Sequence, residues 1–74
     1  MSMDDEAQEA ELAAVRLDLA RVRQEHEDLD HAVLALQALP VSDQLRIARL
    51  KKRKLVLKDQ IAKLENRLTP DLIA

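Results

Sequence analysis

The chain has 74 residues, 47% of them apolar, with no Gly, Cys, Phe, Trp or Tyr, two Pro, and a formal net charge of −2. This composition describes one helical domain, because it lacks both the residue that turns a backbone at positive φ and the aromatics that favour strands. It excludes a disulfide framework, thiolate metal ligands and glycine-rich phosphate loops.

The opening Met1-Ser2-Met3-Asp4-Asp5-Glu6 is acidic, is followed by no apolar stretch, and is unlike a secretory leader. Without cysteine a reducing compartment is suitable, and the cytoplasm is the expected location. Residues 1–8 show no apolar period and read as a flexible acidic lead. A first helix is expected over 9–39, where Leu12, Val15, Leu19, Val22, His26, Leu29, Val33 and Leu36 alternate spacings of three and four. Pro40 interrupts that helix and disfavours helical geometry at Leu39, so 40–42 reads as a turn. Ser42 or Asp43 can cap a second helix over 43–68, in which Ile47, Leu50, Lys54, Leu57, Ile61, Leu64 and Leu68 keep the same rhythm. Residues 69–74 form a tail that Pro70 separates from the helix, and its apolar end suits packing back or docking on another protein. No segment reaches the roughly 20 apolar residues of a membrane span.

Two long repeats joined by a short turn imply an antiparallel coiled-coil hairpin. If the chain folds back at Pro40 to Ser42, one register pairs Leu36 with Ile47, Val33 with Leu50 and Leu29 with Lys54. It continues through His26 with Leu57, Val22 with Ile61, Leu19 with Leu64 and Val15 with Leu68. Two repeats free to be out of phase agree throughout, which supports the hairpin better than either does alone. The charges concur: residues 1–40 hold ten acids and three bases, residues 41–74 four acids and nine bases, so the helices attract. The register levels Asp30 with Lys51, Arg16 with Glu65 and Asp18 with Arg67.

His26 and Lys54 are the two polar residues in the seam, and they fall in adjacent layers. Asp30 follows His26 by one turn and is level with Lys54, so a His26, Asp30 and Lys54 cluster that fixes register is one reading. The other is that Lys54 lays its methylenes on Leu29 and puts its ammonium in water, with His26 half-exposed.

The segments His26-x-x-Leu29-Asp30 and Leu50-Lys51-Lys52-x-Lys54-Leu55-x-Leu57-Lys58-Asp59-x-Ile61 resemble the YdcH-like family of small bacterial proteins of unknown function, over roughly residues 22–64. The resemblance implies a bacterial helical hairpin and implies no activity.

Chemistry finds little support. His26 and His31 are five apart rather than the four of a zinc-protease helix, which points them about 140° apart. Ser2 and Ser42 have no base beside them in sequence, and a two-helix hairpin offers no deep pocket, so neither an enzyme, a cofactor nor a small-molecule substrate is expected. The run from Arg46 to Lys58 holds seven bases and no acid, which makes nucleic acid a conceivable partner. Against this stand the acidic residues Glu25, Glu27, Asp28 and Asp30 on the facing helix and the lack of aromatics for stacking. The lack of Trp and Phe argues against membrane-surface binding too.

Apolar residues outside the seam give the preferred reading. Leu17, Leu34, Leu55 and Val56, with Lys51, Lys52 and Lys58, form a candidate interaction surface. Chains this short often need a partner to complete a core, so self-association into an antiparallel four-helix bundle leads, with a monomer or docking on a larger protein as the other outcomes. The expectation is a small helical interaction or scaffold module. The alternative is a nucleic-acid-associated accessory protein that uses the basic second helix.

Overall fold

The structure, a computed structural model, describes residues 3–69, with α1 at Met3–Gln37 and α2 at Gln44–Leu68. At 1.5 Å per residue the helices are about 52 and 38 Å long. They pack side by side in antiparallel sense, and the molecule measures 60 × 26 × 14 Å. The thinnest dimension is little more than one helix diameter, so the hairpin is a single layer.

The α1 helix begins at Met3 rather than at residue 9. The stretch Ala7-Gln8-Glu9-Ala10-Glu11 consists of strong helix formers, and once a helix exists each added residue costs little. Acids in its first turns also face the positive end of the helix dipole. The helix ends at Gln37, two residues short of the expected 39. The Ala38 N–H still reaches the Leu34 carbonyl at 3.1 Å, and the Leu39 N–H closes a tighter turn onto Leu36 at 3.3 Å. Pro40 keeps Leu39 out of helical geometry and the helix stops there.

Of the two candidate caps, Asp43 is the one in place. Its side chain accepts the Arg46 N–H at 3.0 Å while its carbonyl accepts the Ile47 N–H at 3.0 Å. The first turn of α2 contains Arg46 and no acid, so this carboxylate also offsets a cation at the positive end of the helix dipole. At the other end Thr69 leaves helical geometry before Pro70, and both its N–H and its hydroxyl donate to the Glu65 carbonyl at 2.9 Å. Pro70 to Ala74, most of the expected tail, lie outside the described residues.

The core is Val15, Leu19, Val22 and Val33 from α1 with Ile47 and Leu57 from α2. On α2 the residues withdrawn from solvent are Ile47, Leu50, Lys54, Leu57, Ile61, Leu64 and Leu68, the seven seam positions that the repeat marks. On α1 all eight seam positions are buried or half-buried, along with parts of Glu25, Asp30 and Ala32 at the margin. The deepest side chains are Leu57 and Val22.

Candidate functional site

Two sides of the hairpin differ. Where α1 and α2 meet, one side carries an open groove of about 500 Å³ lined by His26, Lys51, Lys54, Leu55, Lys58 and Ile61. The other carries a shallower depression that includes Asp18, Arg21, Lys63 and Arg67. The larger groove has a physical origin in the seam. His26 and Lys54 occupy adjacent layers, and neither fills its layer as a leucine would, so Ile61 stays half-exposed beneath them.

Lys54 resolves its burial by reaching out of the seam to the Asp30 carboxylate, which accepts its hydrogen bond. The ammonium of Lys54, by this hydrogen bond and by its charge, holds the Asp30 carboxyl below its ordinary value, with smaller help from the charges of His26 and His31. His26 stands half-buried on the groove wall and enters this group through its charge, not through a hydrogen bond to Asp30. The structure therefore joins Asp30 to Lys54 and leaves His26 as a neighbour.

Ion pairing follows the register loosely. Asp30 takes Lys54 in place of the expected Lys51, because the seam lysine is nearer in height and needs a partner more. Glu65 pairs with Arg23 at 3.5 Å instead of Arg16. Helical side chains lean toward their own N-terminus, so in an antiparallel pair Arg23 and Glu65 lean toward each other. Asp18 and Arg67 line the shallower depression without an ion pair between them. The Arg53 to Glu25 pair at 3.6 Å escaped sequence reasoning. Both residues flank the seam on the same side of the heptad, and that pattern could have revealed it.

The candidate interaction residues divide. Lys51, Leu55 and Lys58 lie together in the groove, spaced i, i+4 and i+7 on one stripe of α2. Leu34 occupies the equivalent outer heptad position on α1 and is 58% exposed. Val56 is one residue from Leu55 but about 100° further round the helix, and it does not line the groove. Leu17 and Lys52 stand at heptad positions facing directly away from the partner helix, and both are exposed. Of the seven bases between Arg46 and Lys58, Arg53 and Lys54 are paired, whereas Arg46, Arg49, Lys51, Lys52 and Lys58 have no acid within 4 Å among the described residues.

A groove of this kind can receive an apolar side chain over Leu55 and Ile61 while its lysines receive carboxylates. Among the described residues no group of three His, Cys, Asp or Glu is placed to hold a metal ion, and no helix is long and apolar enough to cross a membrane.

The family model described as a protein of unknown function, DUF465, matches residues 19–65, and YdcH-like proteins belong to that family. No curated protein and no solved structure matches the chain.

Proposed function

We propose that this chain, which belongs to the DUF465 family of proteins of unknown function, is a non-enzymatic helical interaction module that engages a protein partner by helix-to-helix contact. Its contact face is the one bearing Lys51, Leu55 and Lys58, and its place of action is the cytoplasm. The observation that carries this reading is Leu55, which is 68% exposed and stands over Ile61 in a groove edged by cations. Single exposed apolar residues are common on any protein. Here the exposed leucine sits beside an incompletely closed seam, so covering the groove would bury Leu55 and Ile61 together. Withdrawing the exposed part of Leu55 alone would contribute about 1–2 kcal/mol. The groove is open to water along its length, which suits an elongated partner and not the dry, preorganised surroundings that catalysis uses.

A photo-crosslinking residue placed in cells at Leu55, and separately at Val56 as a control, tests this reading. Protein adducts from the Leu55 site and few from the Val56 site support it. Equal yields, or none from either site, refute it.

A second reading rests on the five unpaired bases. In it the protein is a nucleic-acid-associated accessory that sets Arg46, Arg49, Lys51, Lys52 and Lys58 against phosphates. Leu55→Asp should abolish partner binding under the first reading and spare nucleic-acid binding under the second. Replacing Lys51, Lys52 and Lys58 by Gln should remove a salt-dependent mobility shift of DNA or RNA, if one exists, and so decide for the second.

A further inference from the structure

The groove faces one way, and the described residues form no second layer to cover it. A compact monomer of this 8.4 kDa chain would expose about 4,600 Å², whereas the hairpin exposes 6165 Å². The excess of about 1,500 Å² is ample for a standard interface, which takes roughly 800 Å² from each partner.

The unequal helix lengths suggest what covers it. In the register of the seam repeat, around which the Arg23–Glu65, Arg53–Glu25 and Lys54–Asp30 pairs fall, Leu68, the last residue of α2, is level with Val15, so residues 3–14 of α1 project beyond the end of α2. The projecting arm carries Glu6, Glu9, Ala10 and Ala13, spaced i, i+3, i+4 and i+7 and therefore on one stripe. In the heptad register that stripe continues the outer positions on the groove side of the hairpin. All four residues are exposed, and among the described residues neither glutamate has a partner. The groove stripe is Lys51, Leu55 and Lys58, with neither lysine paired among the described residues. The arm lies at the open end of the rod and the groove in the half nearer the turn, so within one chain they cannot meet.

We infer that the groove of each hairpin receives the acidic arm of a second copy, in a two-fold symmetric dimer in which each copy gives its arm and accepts its partner's. The inference rests on the reading of this face as an interaction surface and names its occupant. A two-fold axis perpendicular to the rods, near the level of Leu19, reverses one hairpin against the other and brings each arm to the opposite groove. There the arm runs parallel to the partner's α2. Glu6 and Glu9 then lie along the partner's Lys51, Lys54 and Lys58, while the small side chains of Ala10 and Ala13 leave room for the partner's Leu55. The same symmetry makes both contacts at once, which is the self-complementarity that a closed dimer requires. A like-oriented pairing would set arm on arm and groove on groove, acid against acid and base against base.

The experiment uses the full chain in two charge-reversed forms and reads mass by light scattering and sedimentation across a hundredfold range of concentration. The unaltered chain should form a dimer of twice the 8.4 kDa mass, loosened by salt. Glu6→Lys with Glu9→Lys gives a chain basic at both arm and groove. Lys51→Glu with Lys58→Glu gives one acidic at both. Each alone should dimerise at least about tenfold more weakly, with helicity unchanged by circular dichroism. Mixed in equal amounts, the two should restore a dimer, because each arm then meets an opposite groove. A monomeric unaltered chain overturns the inference. So does a dimer that neither variant weakens, or a mixture that fails to recover. If Leu55 nevertheless crosslinks to a different protein, the interaction reading stands and its occupant is that protein.

Discussion

Replacing His26 and Lys54 together by leucine should raise the melting temperature and cost the hairpin its single register. The Lys54 side chain is 24% exposed, so a leucine there would withdraw about three-quarters of its surface from water. With about 1.5–3 kcal/mol for full burial of such a side chain, this site contributes roughly 1–2 kcal/mol. His26 is half-buried in the layer of Leu57, the least exposed residue of the core, and leucine there adds on the order of 1 kcal/mol. What is lost is the Lys54 to Asp30 pair. The Asp30 side chain is 48% exposed and regains water when Lys54 is gone, so the loss is smaller than the gain. At about 4–8 °C per kcal/mol for a domain of this size, the melting temperature should rise by about 10 °C. Polar residues in a seam act mainly against wrong pairings, so a seam of leucines and valines can slide by a heptad at little cost. Thermal unfolding by circular dichroism reads the stability, and the count of backbone amide resonances reads the register. A lower melting temperature with one set of resonances would refute the reasoning, since the two residues would then be stabilising and without effect on register.

Leu57→Ala should remove about 2–5 kcal/mol and leave the hairpin largely unfolded at room temperature, whereas Leu55→Ala, at a position exposed in the single hairpin, should change the melting temperature little at concentrations where the chain is monomeric. Denaturant unfolding of both compares buried with exposed leucine two residues apart. Asp43→Ala should cost about 1 kcal/mol by freeing the Arg46 N–H at the start of α2, and Asp43→Asn, which keeps the acceptor, should recover most of it. Acid should destabilise the hairpin through Asp30. Its carboxyl is held below the ordinary 3.8 in the folded chain, so the contribution is present above that value and is lost as pH falls through the lowered one. Asp30→Asn should flatten the pH dependence of the melting temperature in that range, and an unchanged slope would show that other carboxylates govern it.

The seam was legible because it is written in a period. Fifteen positions on two helices obey one spacing rule, and burial of a helix surface depends on where a residue falls in that rule more than on what it is, which is why Lys54 is withdrawn from solvent with its apolar neighbours. Helix ends were less legible. Pro40 announced a stop, but its steric reach, which ended α1 at Gln37, extends to residues before it. Residues 3–8 have no apolar period because α2 does not run alongside them, and helix propensity extends α1 through them.

Sequence alone determined the all-helical class, the single turn, the antiparallel register and the identity of the buried face, because all of these follow from the 3.5-residue repeat and one proline. The tertiary structure decided what depends on direction and reach. Leu55 and Val56 are adjacent outer apolar residues in the sequence, and only the fold puts one in the groove and the other outside it. Asp30 stands across the seam from both Lys51 and Lys54, and it takes Lys54, which is nearer in height and whose half-buried ammonium has fewer alternatives than a solvated one. The groove itself appears only when two helices meet, since it is the space that His26 and Lys54 leave unfilled between them.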